Sequence, residues 1–155
     1  MTGSWLSGGV GETGGEPQEY PGERLGLPEH GPGSVAPRGV RLLALFIDLA
    51  LSSLVTSLFA EFDVDRPDVM RTFNYTSVLV WFVITAVMVA VSGFTAGKAL
   101  LGLRVVRLDG KPMVGPLRAA ARTLLTALLL PAAIADADGR GLHDKAAGTV
   151  VARTR

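Results

Sequence analysis

Two stretches of this chain stay apolar for long enough to cross a bilayer, which takes about 20 residues. They are residues 39–60 and 75–97, and both are predicted to be membrane helices. Pro37 suits the start of the first helix. In the second, Trp81 and Phe82 crowd the first half, and Tyr75 fits an interfacial belt position. Ser92, Gly93 and Gly97 lie toward its far end, where small residues let a neighbour approach. A polar loop with four acids and two Arg, residues 61–74, separates the two stretches. A third apolar stretch covers 116–135, but its uninterrupted part, 123–135, has only 13 residues. Arg118 and Arg122 sit one turn apart at its start, and Pro131 bends or ends it. The pattern allows a short span, a re-entrant piece or an interfacial helix. Two short runs carry the β pattern instead. Leu103–Leu108 is β-branched and alternating and runs into Asp109-Gly110, a strong turn signal. TVVA, residues 149–152, is the second run. Two isolated strands would leave backbone donors and acceptors unmet, so the runs are expected to pair and to clamp the chain end onto the loop after the second helix. That pairing requires the third segment to begin and end on one side.

Composition and charge sharpen this picture. The chain has 155 residues, 48% of them hydrophobic, a size for one domain. It has no Cys, which excludes disulfides and thiolate chemistry. The net charge of +1 is unevenly spread: residues 1–36 carry five Glu and one Arg, while residues 37–155 carry 14 basic and nine acidic side chains. The first 36 residues hold ten of the 19 Gly and few apolar side chains, so they read as a disordered acidic tail ahead of a membrane domain at 37–155. Within that tail, YPGERLGLP (20–28) is the segment best able to dock on a membrane face or a partner. No basic run followed by an apolar core marks a cleaved signal peptide. Arg24, Arg38 and Arg41 precede the first helix, and Lys98, Arg104, Arg107 and Lys111 follow the second. Only Arg66 and Arg71 lie between them, so the amino terminus and residues 98–115 are expected in the cytoplasm. The basic side chains are scattered, and nucleic acid is not an expected partner.

The candidate chemistry lies where charge interrupts the apolar pattern. Asp48 sits in the middle of the first stretch, where a carboxylate costs about 2.5–3.5 kcal/mol on insertion scales. Arg41 lies seven residues earlier and so falls on nearly the same helix face. Asp48 is expected to face protein, either pairing with Arg41, Arg118 or Arg122 or serving as a cation or proton site. Ser52, four residues on, lines the same face or bonds its own helix backbone. His143-Asp144-Lys145 has a catalytic look, but no Ser or Cys nucleophile stands in a recognisable context. Asp144 is expected to pin the tail to an Arg, with His143 beside it. Asp136 and Asp138 lack the further ligands of a calcium loop. Gly97-Lys98 lacks the phosphate-loop pattern. No enzyme activity, cofactor or metal is expected.

Three patches, taken together, resemble the RDD family of bacterial membrane proteins, and the Gly/Pro tail with ERLGLP resembles its actinobacterial branch. The patches are RLLALFID (41–48), TAGKALLGLRVVRLDGKP (95–112) and GLHDKAAGTVV (141–151), in the family's order and spacing. The Arg and two Asp that name the family map onto Arg41, Asp48 and Asp144, with Arg118, Arg122 and His143 as supporting residues. The chain departs at Ala99, where relatives often carry a polar or basic residue. The resemblance implies a small polytopic domain of the cell membrane and no reaction; transport of an unknown ligand has been suggested for the family. The expected fold is an all-α integral membrane protein: two transmembrane helices, a third short membrane segment, a small cytoplasmic strand pair and the disordered tail. The expected role is an interaction or assembly subunit of a larger membrane complex. The alternative is an oligomeric transporter or channel component that uses Arg41 and Asp48. Either way, the partners would be the lipid bilayer and a second copy or a larger membrane complex.

Overall fold

Prolines and glycines set the limits of the helix pair. The computed structural model describes residues 18–128 and 141–155. Pro37 precedes α1 (Arg38–Thr56), and Pro67 opens α2 (Pro67–Ser92) with Asp68 in its first turn. A proline at the first helical position loses no helix bond, and an acid there complements the helix dipole. α2 therefore starts within the stretch expected to be loop, well before Tyr75. It stops at Ser92 because Gly93 takes a left-handed conformation, φ 74°. α1 ends at Thr56, four residues short of the expected Ala60.

The two helices are packed inside out relative to a soluble pair. α1 buries Ala44, Asp48, Ser52 and Thr56, one residue per turn, and α2 buries Phe73, Ser77, Trp81, Thr85 and Val89 in the same rhythm. Small and polar side chains thus make up the α1 side of the seam, while on the α2 side Ser77 and Thr85 alternate with Phe73, Trp81 and Val89; the small ones allow close approach of the backbones. Large apolar side chains point away: Leu42, Leu43, Phe46 and Leu54 on α1, and Val78, Leu79, Val83, Val87 and Val91 on α2. Only 22% and 28% of the apolar windows of α1 and α2 are buried within the protein, unlike the core helices of a soluble domain. Both helices have the length and composition to cross a membrane.

The remaining elements form a cap at the end of the pair where α1 begins and α2 ends. In order they are α3 (Ala96–Leu100), β1 (Leu103–Arg107), α4 (Pro116–Ala127), α5 (Leu142–Ala147) and β2 (Thr149–Arg153). β1 and β2 pair antiparallel, with Val105 opposite Val151 and Val106 opposite Val150, as the two β-type runs suggested. The Val105 N–H donates to Gly93 O at 2.7 Å, which ties the sheet to the end of α2. Residues 33–36 cover the other edge of β2. Gly33 donates to Arg153 O at 2.8 Å, Arg153 to Ser34 O at 2.9 Å and Ala36 to Val151 O at 2.8 Å. The expected disorder of residues 1–36 is therefore not what the end of that tail shows. An open edge of β2 offers it backbone partners, and Ala36 is buried there. Residues 1–17 lie outside the described residues.

The third apolar stretch follows β1 and precedes β2, so the paired strands on either side of it lie at the same end of the helix pair. A single complete crossing does not fit that pairing. Its described part is α4, which buries Ala119, Arg122 and Thr123 and exposes Leu117 and Leu124. Pro131, Asp136 and Asp138 lie outside the described residues.

Candidate functional site

Two buried carboxylates hold the cap on the helices, each with its own partners. Asp48 is met by α3. Gly97 allows this, because a Cβ there would lie 2.2 Å from the Ala44 carbonyl oxygen of α1. With backbone against backbone, the Gly97 N–H donates to Asp48 Oδ1 at 2.7 Å. The Thr95 hydroxyl donates to Asp48 Oδ2 at 2.5 Å and accepts from the Lys98 N–H at 3.3 Å, capping α3. Lys98 Nζ stands 4.0 Å from Asp48 Oδ2. The Ser52 hydroxyl donates to the Asp48 carbonyl at 2.8 Å, and Thr56 repeats the same bond to Ser52.

Asp144, on α5, is fully buried. It forms a close ion pair with Arg122 of α4, and Arg41 Nη1 and His143 Nε2 stand 3.5 Å and 3.4 Å from its Oδ2. The Thr149 hydroxyl adds a contact to Oδ1 at 3.3 Å. Burial alone would raise the Asp144 pKa; the charge of Arg122, then His143 and Arg41, outweighs it and holds the carboxyl well below the usual range. Lys98 moves the other way for a cation: burial, and then the nearby Arg122 charge, push it down to about 8, against the pull of Asp48 and Asp144. Arg118 is half exposed and donates from Nη1 to the Ala147 carbonyl at 3.3 Å, at the end of α5.

The arginines expected to meet Asp48 thus go elsewhere. Helical side chains lean toward the helix start. Arg41 accordingly reaches back, donating from Nε to the Ala36 carbonyl at 2.8 Å and approaching Asp144, away from Asp48 two turns ahead. Thr95 and Gly97, which bind Asp48, were not singled out for that role in the sequence. The signal available was Thr95 as a helix-capping residue two positions before a glycine. A cavity of about 60 Å³ lies between the two clusters, with Arg41, Asp48, Arg122 and His143 on its wall. Among the described residues, no group of three or more His, Asp or Glu is placed to hold a metal ion.

The profile of the RDD family matches residues 35–148. The chain belongs to the RDD family. No curated protein and no solved structure matches it. The RDD match begins at Val35, in the segment that covers the edge of β2, and takes in both carboxylates, both spans and β1. In this RDD protein, Arg41 and the two acids do not form one triad. Arg41 serves Asp144, while Asp48 is bound by α3.

Proposed function

We propose that this RDD protein is a membrane-embedded interaction unit, an accessory subunit that assembles with a larger membrane complex. The observation behind this reading is the inverted packing: apolar side chains face outward from α1, α2 and α4, and the polar side chains are consumed inside. Such a surface suits lipid and neighbouring membrane helices. Both acids serve as locks between elements, so the domain is built as a rigid piece with an adhesive exterior. The Lys and Arg flanking the pair support a multi-pass cell-membrane protein with its cap on the cytoplasmic side.

The cavity supports a second reading, an oligomeric transporter or channel component. Two spans cannot surround a pathway, so this role requires additional copies. Asp48 already has both oxygens bonded, which leaves Arg41 as the member of the Arg41/Asp48 pair better placed to meet a ligand. Native mass spectrometry of the protein extracted from its own membranes in mild detergent separates the readings. A stoichiometric complex with another membrane protein is expected. A closed homo-oligomer would favour transport, and a monomer at every concentration would overturn both.

A further inference from the structure

The cavity carries more positive charge than its fold needs. Arg38, Arg41, Lys98 and Arg122 line it, against Asp48 on its wall and Asp144 behind it. Four cations facing two carboxylates leave a formal excess of two positive charges. Two buried N–H donors at the same place also lack a partner among the described residues. Trp81 is 3% exposed and lines the cavity, yet its indole Nε1 finds no acceptor among the described residues. Arg122 is 4% exposed, and its Nε is unpartnered although the far end of its guanidinium holds Asp144. A buried donor left unmet costs about 1–3 kcal/mol, so two of them beside surplus charge mark a place where an acceptor-rich anion belongs. The pKa of Lys98 is lowered first by its burial and then by the Arg122 charge, and the second of these reports the same crowding of cations.

We propose that this cavity binds a phosphate group, with Arg38, Arg41, Lys98 and Arg122 as its charge partners and the Trp81 indole N–H as a fixed donor. Size supports the assignment. About 60 Å³ of this kind of volume holds roughly four waters, close to the five heavy atoms of a phosphate. Charge supports it too, because inorganic phosphate carries one to two negative charges, the phosphodiester of an anionic lipid carries one, and guanidinium groups match the oxygens of both. Leu42 and Leu45 continue the wall in apolar side chains, and Leu42 opens to the exterior. The phosphate therefore has two chemical sources, a lipid headgroup whose chains follow Leu42 and Leu45, or a soluble phosphate. This assignment adds a ligand class and stands whether the protein acts as a subunit or as a transporter.

The chain has two Trp, so full-length Trp5→Phe protein keeps Trp81 as a single fluorescent reporter. It is to be placed in nanodiscs and titrated in two arms. One uses inorganic phosphate with a phosphate-free galactolipid as the only lipid; the other uses rising phosphatidylglycerol in that galactolipid and phosphate-free buffer. A saturable change in Trp81 emission is expected in at least one arm, and that arm identifies the source. Arg38→Gln, on an exposed rim position outside both ion-pair clusters, should weaken the response about tenfold, the effect of losing one charge-assisted hydrogen bond. Arg71→Gln, near the opposite end of the helices, should leave it unchanged, and circular dichroism should show both variants folded. No saturable change in either arm, or equal affinity in wild type and Arg38→Gln, overturns the proposal.

Discussion

At the scale of single residues, the two family acids are not equivalent. Asp48 is satisfied by a hydroxyl and a backbone amide, whereas Asp144 is satisfied by charge. Replacing Asp144 with Asn keeps the shape and removes the charge, which leaves Arg122 buried without its counter-ion. Breaking a buried pair from one side costs about 3–5 kcal/mol, so Asp144→Asn should lower the thermal midpoint in detergent strongly at pH 7. The sign with pH follows from the lowered pKa of Asp144. Its stabilisation is fully present above the unfolded carboxyl value of about 3.9 and fades only as pH falls below that toward the folded value. The gap between wild type and variant should therefore be constant from pH 5 to 7 and shrink below pH 4. A gap that closes already by pH 6 would place the charge interaction elsewhere. Arg41 also illustrates why one face does not mean one partner, because the direction of its side chain sends it to the α5 carboxylate.

At the scale of elements, two glycines decide how α3 and the sheet meet the helix pair. Gly97 lies where any Cβ would press on the Ala44 carbonyl, and Gly93 combines φ 74° with a built Cβ 2.5 Å from the Val105 carbonyl oxygen. Both contacts are to backbone, so no side-chain rotation relieves them. Gly97→Ala should push α3 away from α1, stretch the Gly97–Asp48 bond and cost about 1–3 kcal/mol, the range for overpacking. Gly39→Ala is the control, since nothing lies within 4 Å of a Cβ there. Equal thermal midpoints for the two variants would show that α3 is not held against α1. The early start of α2 belongs to this scale too. A charged, loop-like composition at 67–74 did not prevent helix, because Pro67 and Asp68 suit a helix start and the buried Phe73 gives the first turns an anchor.

At the scale of the whole molecule, the β1–β2 pairing sets the topology. Because the chain returns to the sheet, the amino-terminal segment 33–36, the loop after α2 and the carboxyl end must share one side of the membrane. With the Lys and Arg asymmetry, that side should be the cytoplasm. Single Cys placed at Val64, Met113 and Thr154 in intact cells test this with a membrane-impermeant maleimide. Val64 should label from outside, while Met113 and Thr154 should label only after lysis. Labelling of Thr154 alone from outside would mean that the third segment crosses once, and the sheet seen here could not form in the cell.

The sequence alone determined the two helices apolar enough to span a membrane, the existence of a strand pair and the identity of the polar residues that interrupt the apolar pattern. Those features rest on local periodicity and on the cost of placing charge in lipid, both readable one segment at a time. Only the tertiary structure decided who meets whom. Asp48 finds Gly97 and Thr95 across nearly fifty residues because a glycine lets two backbones touch, and composition does not encode that distance. The end of the supposed tail becomes a strand neighbour because β2 has an edge to cover, a demand that exists only once β2 is formed. The cavity and its surplus charge arise from five helices and strand β2 converging on one place, and none of those elements carries it alone.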